Sequence, residues 1–167
     1  MHSDTTPSFL FVCMGNICRS PTVEAVARAE FARAGFVADV ASAGTEDYHV
    51  GDPADPRAIA VAEARGYALA RHRARQVRAD DFERHDFVLA MDRANLRALQ
   101  RMRPGRGGRE PRLFLEGTGV QGAGSDALEV PDPYYGGERD FEHVVALARA
   151  GIAAWLERGL VFPQGNR

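Results

Sequence analysis

A cysteine and an arginine six positions apart are the residues in this chain best suited to chemistry. Cys13 and Arg19 frame the segment VCMGNICRSP, which follows a short apolar run and precedes a helical pattern. A loop between a strand and a helix presents backbone N–H groups to an anion. Arg19 adds a planar fork that holds two phosphate oxygens. Positive surroundings also favour the thiolate, which is the reactive form of cysteine. The segment therefore predicts a phosphate-binding loop that carries its own nucleophile.

Other interpretations of this loop fit the residues less well. Gly15 permits the tight turn that aims several N–H groups inward, but a nucleotide-binding loop would end in Gly-Lys-Ser/Thr. A thioredoxin-like site would place two residues between its cysteines. A metal site would need more ligands than Cys13 and Cys18 supply, so no metal is expected. The ordinary alternative is a cysteine buried as a small apolar side chain, and the neighbouring Gly, Arg, Ser and Pro count against it.

The bulk composition predicts one globular domain over 1–167. The chain is 45% hydrophobic and 26% charged, with a net charge of -2, which gives no reason to expect nucleic acid or an anionic membrane as partner. Cys13 and Cys18 lie too close together to staple distant parts of the chain, so we expect free thiols in a reducing compartment. The first residues lack a signal-peptide pattern and no apolar run reaches membrane length, which predicts a cytoplasmic protein.

Strands alternate with helices around the loop. A strand is predicted at Ser8–Cys13, followed by a helix that Ser20 caps, that has Pro21 at its first position and that ends at Gly35. Further strands are predicted at 39–43, 86–90 and 112–115, and further helices at 55–66, 79–82, 92–102 and 141–156. This alternation predicts an α/β fold, a three-layer open sandwich with a four-stranded parallel sheet and helices on both faces. Such sheets bind ligands at the carboxyl ends of their strands.

A long irregular tract, Gly117–Gly137, separates the last predicted strand from the last helix. Loops of this length in compact domains are often functional. The tract contains Asp132-Pro133, which by itself is a common turn dipeptide. From the residues alone, Asp132 is either a turn residue or an acid delivered by a mobile loop.

The motifs together resemble those of the low-molecular-weight protein tyrosine phosphatases. The resemblance rests on the Cys-x5-Arg-Ser loop close to the N-terminus and on Asp132-Pro133-Tyr134-Tyr135 close to the C-terminus. The segments between them also have counterparts in that family: Ser42–Thr45, Asp55–Arg57, 71–76, and Met91-Asp92 with Asn95. The match therefore extends along most of the chain.

This resemblance implies a two-step phosphatase that needs no cofactor. Cys13 would attack phosphorus and form a phosphocysteine intermediate, while Arg19 and the loop N–H groups bind the phosphate oxygens. Asp132 would act first as general acid and then as general base. The Ser20 hydroxyl would hydrogen-bond the thiolate. The expected partner is a phosphotyrosine-containing protein substrate, and the expected assembly is a monomer or a weak homodimer.

The resemblance also predicts which residues support the loop and shape the pocket. Phosphate binding and loop support are assigned to Met14, Gly15, Asn16, Ile17, Cys18, Ser20, Ser42 and His72. The substrate pocket is assigned to Ile17, Tyr48, Tyr134 and Tyr135. Bacterial members often carry Trp near Tyr48, and this chain departs from that pattern. Phosphoarginine phosphatases of the family tend to have Thr where this chain has Ile17, so phosphotyrosine is the favoured substrate.

The role of Cys18 stays open at this point. Cys18 either traps an oxidised Cys13 as a reversible disulfide or simply fills space in the loop.

An arsenate reductase built on the same loop would need further cysteines, and none follows Cys18. A non-catalytic phosphotyrosine-binding module would be expected to lack the nucleophile or the acid, whereas Cys13 and Asp132 are both present.

Overall fold

A sheet of four parallel strands carries the site in a computed structural model that describes residues 6–105 and 107–163. The strands are β1 (Ser8–Cys13), β2 (Asp39–Gly44), β3 (Phe87–Ala90) and β4 (Arg112–Leu113), in the order β2-β1-β3-β4. Phe9 and Phe11 of β1 pack into one hydrophobic cluster, and Leu10 and Val12 pack into another. Both faces of β1 are therefore buried, which explains its uninterrupted apolar sequence.

Helices cover both faces of this sheet. The face that carries Phe9 and Phe11 packs against α1 (Arg19–Arg33), α2 (Pro56–Ala64) and α5 (Glu138–Glu157). The opposite face packs against α3 (Asp81–Arg84) and α4 (Arg93–Met102), which contribute Phe82 and Leu99. The predicted fold class, an α/β three-layer open sandwich with a four-stranded parallel sheet, is confirmed. Among the described residues, no helix combines the length and the apolar composition that crossing a membrane requires.

The start of α1 differs from the prediction in a way that matters for the site. The helix begins at Arg19 with Cys18 as its N-cap residue, so the prediction that Ser20 caps the helix is wrong. The Ser20 hydroxyl instead lies 3.0 Å from the Cys13 sulfur. Its tertiary partner outweighs the local capping preference of serine.

Other element boundaries also differ from the prediction: α3, for example, is Asp81–Arg84 and not 79–82. β4 ends at Leu113, because Phe114 and Leu115 turn into the core as buried residues. α5 begins at Glu138, three residues before the predicted start, and the Asp140 carboxylate accepts a hydrogen bond of 2.8 Å from the Gly137 N–H. This side-chain contact provides one of the partners that a helix start needs.

Candidate active site

Cys13 lies at the carboxyl end of β1, at the base of a cavity. Its side chain is 3% exposed, and its sulfur contacts the Ser20 hydroxyl at 3.0 Å and the Asn16 N–H at 3.3 Å. The Ser20 oxygen also accepts a hydrogen bond of 2.8 Å from the Asn16 side-chain amide. The Ser20 hydroxyl also lies 3.4 Å from the Ala43 carbonyl, so the sulfur at 3.0 Å is the nearer of its two possible acceptors. A thiolate sulfur can only accept, and the Asn16 N–H and the Ser20 hydroxyl are the two groups placed to donate to it.

Asn16 is the centre of the network that shapes the phosphate loop. Its backbone φ is 60°, a left-handed conformation that asparagine tolerates better than most residues. The side-chain amide donates to the Ser20 and Ser42 hydroxyls at 2.8 and 2.9 Å, and its oxygen accepts from the Arg75 N–H at 3.0 Å. The backbone carbonyl accepts from the His72 ring at 2.7 Å. These bonds hold the strained loop in a single shape.

Gly44 permits the close approach of β2 to the phosphate loop, a role that the sequence analysis did not assign. A Cβ atom added there would lie 2.6 Å from the Met14 carbonyl oxygen and 3.2 Å from the Asn16 nitrogen. The neighbouring N–H groups of Thr45 and Glu46 donate to the Cys13 and Met14 carbonyls. The end of β2 therefore forms one wall of the loop, and only glycine fits at this contact.

Arg19 is buried and held by two fixed acceptors. Its side chain is 4% exposed, and one guanidinium nitrogen donates to Asp92 at 2.6 Å and to the Val130 carbonyl at 3.1 Å. Burial by itself would lower the pKa of Arg19, but the negative charge of the Cys13 sulfur and of Asp92 outweighs it, and the pKa is raised. The arginine therefore stays protonated while its fork is held in place.

Asp92 has a second role that the sequence analysis missed. It caps α4 as predicted, because its carboxylate accepts from the Asn95 N–H at 2.8 Å while the Asn95 side chain accepts from the Asp92 N–H. Its other carboxylate oxygen holds Arg19. The available signal was its position two residues after the end of β3, since β3 lies beside β1 in a parallel sheet.

Asp132 reaches the same cavity from the irregular tract. One of its carboxylate oxygens lies 3.9 Å from the second guanidinium nitrogen of Arg19, and its side chain is 40% exposed. The other oxygen accepts from the Tyr134 N–H at 3.1 Å. Upstream, the Val130 N–H donates to the Met91 carbonyl, which ties the tract to the end of β3. Asp132 is thus presented by a short anchored turn and has access to solvent.

The cavity has a volume of about 270 Å³ and is ringed by aromatic side chains. It is lined by Cys13, Met14, Gly15, Ile17, Cys18, Arg19, Tyr48, His49, Asp132, Tyr134 and Tyr135. The other predicted site residues do not line the cavity: Asn16 and Ser20 belong to the loop itself, and Ser42 and His72 lie behind it and bond to Asn16. His49 was not predicted. It lies against Gly15, where an added Cβ would be 3.0 Å from the histidine ring.

Cys18 lines the same cavity and is a buried thiol. It is 6% exposed and, like Cys13, carries no disulfide. Burial raises the pKa of Cys18, and the nearby Asp55 carboxylate raises it further. Cys18 therefore stays protonated at neutral pH. Both interpretations of Cys18, a trap for an oxidised Cys13 and a residue that fills space in the loop, stay predictions.

An ion pair with a buried carboxylate fixes the segment behind the loop. Both guanidinium nitrogens of Arg75 donate to the Asp81 carboxylate, at 3.0 and 2.9 Å, and the Arg78 N–H donates to it at 2.7 Å. Burial alone would raise the pKa of Asp81, but its contacts with His85 and Arg75 outweigh this and hold the pKa far below its usual range. The pair thereby anchors Arg75, whose backbone holds Asn16.

This ion pair predicts a pH-dependent contribution to stability. Asp81→Ala is expected to lower the free energy of unfolding at pH 7 by about 3 kcal/mol, because Arg75 loses its buried partner. The folded-state pKa of Asp81 lies below the unfolded value of about 4, so the contribution is complete above that pH and is lost as the pH falls below it. Urea denaturation of both proteins from pH 7 to pH 3 measures the difference. An equal difference at every pH would contradict this assignment.

The chain was compared with known proteins. Residues 8–160 match the model of a family described as low molecular weight phosphotyrosine protein phosphatase. A low molecular weight protein-tyrosine-phosphatase of Streptomyces coelicolor is 46% identical over 148 residues, which cover 87% of this chain and 89% of that protein.

Solved structures give the same picture. A protein tyrosine phosphatase from Entamoeba histolytica with Hepes in its active site has a TM-score of 0.83 at 34% identity, over 93% of this chain and 99% of that chain. Wzb from Vibrio vulnificus, in complex with benzylphosphonate, has a TM-score of 0.77 at 30% identity, over 92% of this chain and 99% of that chain. The similarity therefore extends over most of each molecule.

Proposed function

The chain belongs to the low-molecular-weight phosphotyrosine protein phosphatase family, and we propose that it hydrolyses phosphotyrosine in proteins through a phosphocysteine intermediate on Cys13. The observation that carries this proposal is the meeting of three groups in one cavity. The Cys13 sulfur and the Arg19 guanidinium of the phosphate loop line it together with the Asp132 carboxylate, which comes from a distant part of the sequence. A nucleophile, a phosphate-binding cation and an acid in one cavity are the parts that this reaction needs.

In the first step the Cys13 thiolate attacks phosphorus in line with the departing phenol oxygen. A sulfur–phosphorus bond forms, the phosphorus–oxygen bond breaks, and Asp132 donates its proton to the leaving oxygen. Arg19 stabilises the charge on the equatorial phosphate oxygens. Backbone N–H groups of residues 14, 15, 17 and 18 make no hydrogen bond within 6–105 and 107–163, so they are available to the same oxygens.

In the second step water releases the phosphate. The Asp132 carboxylate takes a proton from the water molecule, whose oxygen attacks phosphorus while the sulfur–phosphorus bond breaks. The Ser20 hydroxyl and the Asn16 N–H, both of which donate to the Cys13 sulfur, stabilise the thiolate as it leaves. The products are inorganic phosphate and the original thiolate, and the loop and Arg19 neutralise the charge without a metal or cofactor.

The walls of the cavity favour an aryl phosphate. Cys13 lies at the base and is almost fully buried, so the phosphate must be delivered on a stem long enough to reach it. Tyr134 and Tyr135 form one wall, with their ring centroids 5.0 Å apart. Ile17 and Tyr48 line the remaining sides. A slot with apolar sides suits a flat phenyl ring better than a short seryl stem.

Phosphorylated peptides compared side by side test this substrate assignment. Phosphotyrosine, phosphoserine and phosphoarginine peptides of matched sequence are offered to the protein, with and without a chelator. We expect phosphotyrosine to be hydrolysed fastest and the chelator to have no effect. Faster turnover of phosphoarginine would overturn the assignment that Ile17 supports.

Sedimentation of the same sample tests the expectation of a monomer or weak homodimer, and cell fractionation tests the expected cytoplasmic location.

The fit of Gly44 against the phosphate loop leads to a specific prediction. Gly44→Ala is expected to lower kcat/KM for aryl phosphates by roughly 10- to 100-fold, because the added methyl group displaces the Met14 carbonyl and the loop that positions Cys13. The control is Gly35→Ala, which introduces strain at a φ of 71° beyond the far end of α1. That variant should melt earlier but keep its activity per folded molecule. Equal kcat/KM in wild type and Gly44→Ala would refute the role of Gly44.

A further inference from the structure

Arg57 lies at the start of α2 in a fixed orientation. The Asp55 carboxylate, which caps the helix by accepting from the Arg57 N–H at 2.8 Å, also accepts from Nε at 3.0 Å and from Nη2 at 2.9 Å. Two parallel hydrogen bonds to one carboxylate fix the plane of a guanidinium group. Hydrogen bonding from Arg57 also lowers the pKa of Asp55, so the pair stays charged. The Asp55 side chain is buried at 8% exposure, whereas that of Arg57 is 45% exposed.

The Arg57–Asp55 pair is tied to the phosphate loop on one side. The Asp55 N–H donates to the Ile17 carbonyl at 2.9 Å. Ile17 lines the cavity and lies one residue before Cys18, the N-cap residue of α1. The start of α2, and with it the Arg57 guanidinium, is therefore positioned relative to the loop that carries Cys13.

On the other side, Arg57 contacts the segment that carries the acid. Its guanidinium carbon lies 5.4 Å from the centre of the Tyr134 ring and 4.6 Å from the centre of the Phe141 ring, within the range of cation–π attraction. Tyr134 lines the cavity, and its N–H donates to the Asp132 carboxylate. A chain of direct contacts therefore runs from the phosphate loop through Asp55, Arg57 and Tyr134 to Asp132.

We propose that Arg57 is a positioning residue that sets the placement of Asp132 and of the Tyr134 wall relative to the phosphate loop. The proposal rests on the function proposed above and adds a determinant of its aryl specificity. A planar guanidinium is required, because one group must pair side-on with Asp55 and also face an aromatic ring. Arg57 acts through Tyr134 and touches neither the reacting phosphorus nor the leaving group.

The test compares two esters that differ in their need for an acid. Phenyl phosphate has a poor leaving group and depends on Asp132, whereas 4-nitrophenyl phosphate has a good one. We expect Arg57→Gln to lower the ratio of kcat/KM for phenyl phosphate to that for 4-nitrophenyl phosphate about tenfold, because small displacements of a catalytic group are costly. The ratio does not depend on the folded fraction of the sample. Arg57→Lys should lower it too, since lysine lacks the planar fork.

The matched control lies on the same pair of helices. Arg65, the C-cap residue of α2, donates to Glu142 of α5 at 2.6 Å, away from the cavity lining. Arg65→Gln should leave the ratio unchanged, although it weakens the contact between the same two helices. A ratio that falls equally in Arg65→Gln would show a general effect of helix packing and would overturn the proposal.

Two further variants complete the test. In an Asp132→Asn background, Arg57→Gln should no longer change the ratio, and a persisting change would overturn the proposed link to Asp132. If Arg57→Gln hydrolyses neither ester, the same ratio of kcat/KM values is measured in Tyr134→Leu instead. A lowered ratio in that variant supports the proposal, and an unchanged ratio overturns it. Wild-type protein that hydrolyses neither ester would overturn the proposed function itself. Wild-type activity with an unchanged Arg57→Gln ratio would overturn only the role of Arg57.

Discussion

Replacing Cys13 with serine is expected to lower turnover of 4-nitrophenyl phosphate by roughly 10⁴-fold or more, since loss of a catalytic nucleophile has effects of this size. The reason lies in the contacts of the sulfur. Its neighbours are the Ser20 hydroxyl and the Asn16 N–H, and neither is a base that could deprotonate a serine hydroxyl at position 13. A thiol ionises far more readily than an alcohol, so this surrounding activates cysteine and leaves serine inert.

Substrate binding should survive in the same variant. Arg19 keeps its bonds to Asp92 and Val130 in Cys13→Ser, and the loop N–H groups are unchanged. Calorimetric titration with inorganic phosphate should therefore give an affinity for Cys13→Ser within a few-fold of that for the wild type. Thermal melting confirms that the variant is folded. A turnover rate in Cys13→Ser equal to that of the wild type would show that Cys13 is not the nucleophile.

The second large effect concerns the acid. Asp132→Asn is expected to lower kcat/KM for phenyl phosphate by about 10²- to 10³-fold, because the phenolate must then leave without a proton. The loss should shrink progressively as substituents on the ring make the leaving group better. A series of substituted phenyl phosphates measures this dependence, and Glu116→Gln, an exposed carboxylate just before the same tract, serves as the control. Equal slowing across the series would show that Asp132 is not the acid.

The first strand and the fold class follow from the sequence because their signals are local. Ser8–Cys13 is an apolar run that is buried on both faces, and its predicted bounds agree with the structure. The alternation of strands and helices then leaves few arrangements other than a parallel sheet covered on both sides. Family membership follows from motifs at both ends of the chain, and it is confirmed by the match over residues 8–160.

Roles that depend on tertiary contacts could not be predicted from the residues. From the residues alone Ser20 has the sequence context of a helix cap, whereas its hydroxyl lies 3.0 Å from the Cys13 sulfur, a contact that only the family resemblance predicted. Gly44 is needed because β2 ends against the Met14 carbonyl, a distance that no local pattern encodes. Asp92 satisfies the capping pattern and also holds Arg19. In each case the deciding contact is a tertiary contact, whereas sequence patterns report only local requirements.

The contact of Arg57 with the pocket is another feature that sequence patterns do not predict. Asp55-Pro56-Arg57 predicts a helix start, which the structure has at that place. The contact between the Arg57 guanidinium and the Tyr134 ring joins segments far apart in the chain. Such contacts decide how an acid on an irregular tract is aimed at a loop on the sheet, and they become visible only when the chain is folded.

Direct detection of the covalent intermediate tests the central claim. The protein is mixed rapidly with 4-nitrophenyl phosphate, quenched with alkali within the first turnover, and its peptides are analysed by mass spectrometry. The two-step mechanism predicts a burst of 4-nitrophenol in an amount close to that of the enzyme. It also predicts one phosphoryl group on the peptide that carries Cys13. A phosphoryl group on another residue, or steady turnover with no covalent species and no burst, would contradict it.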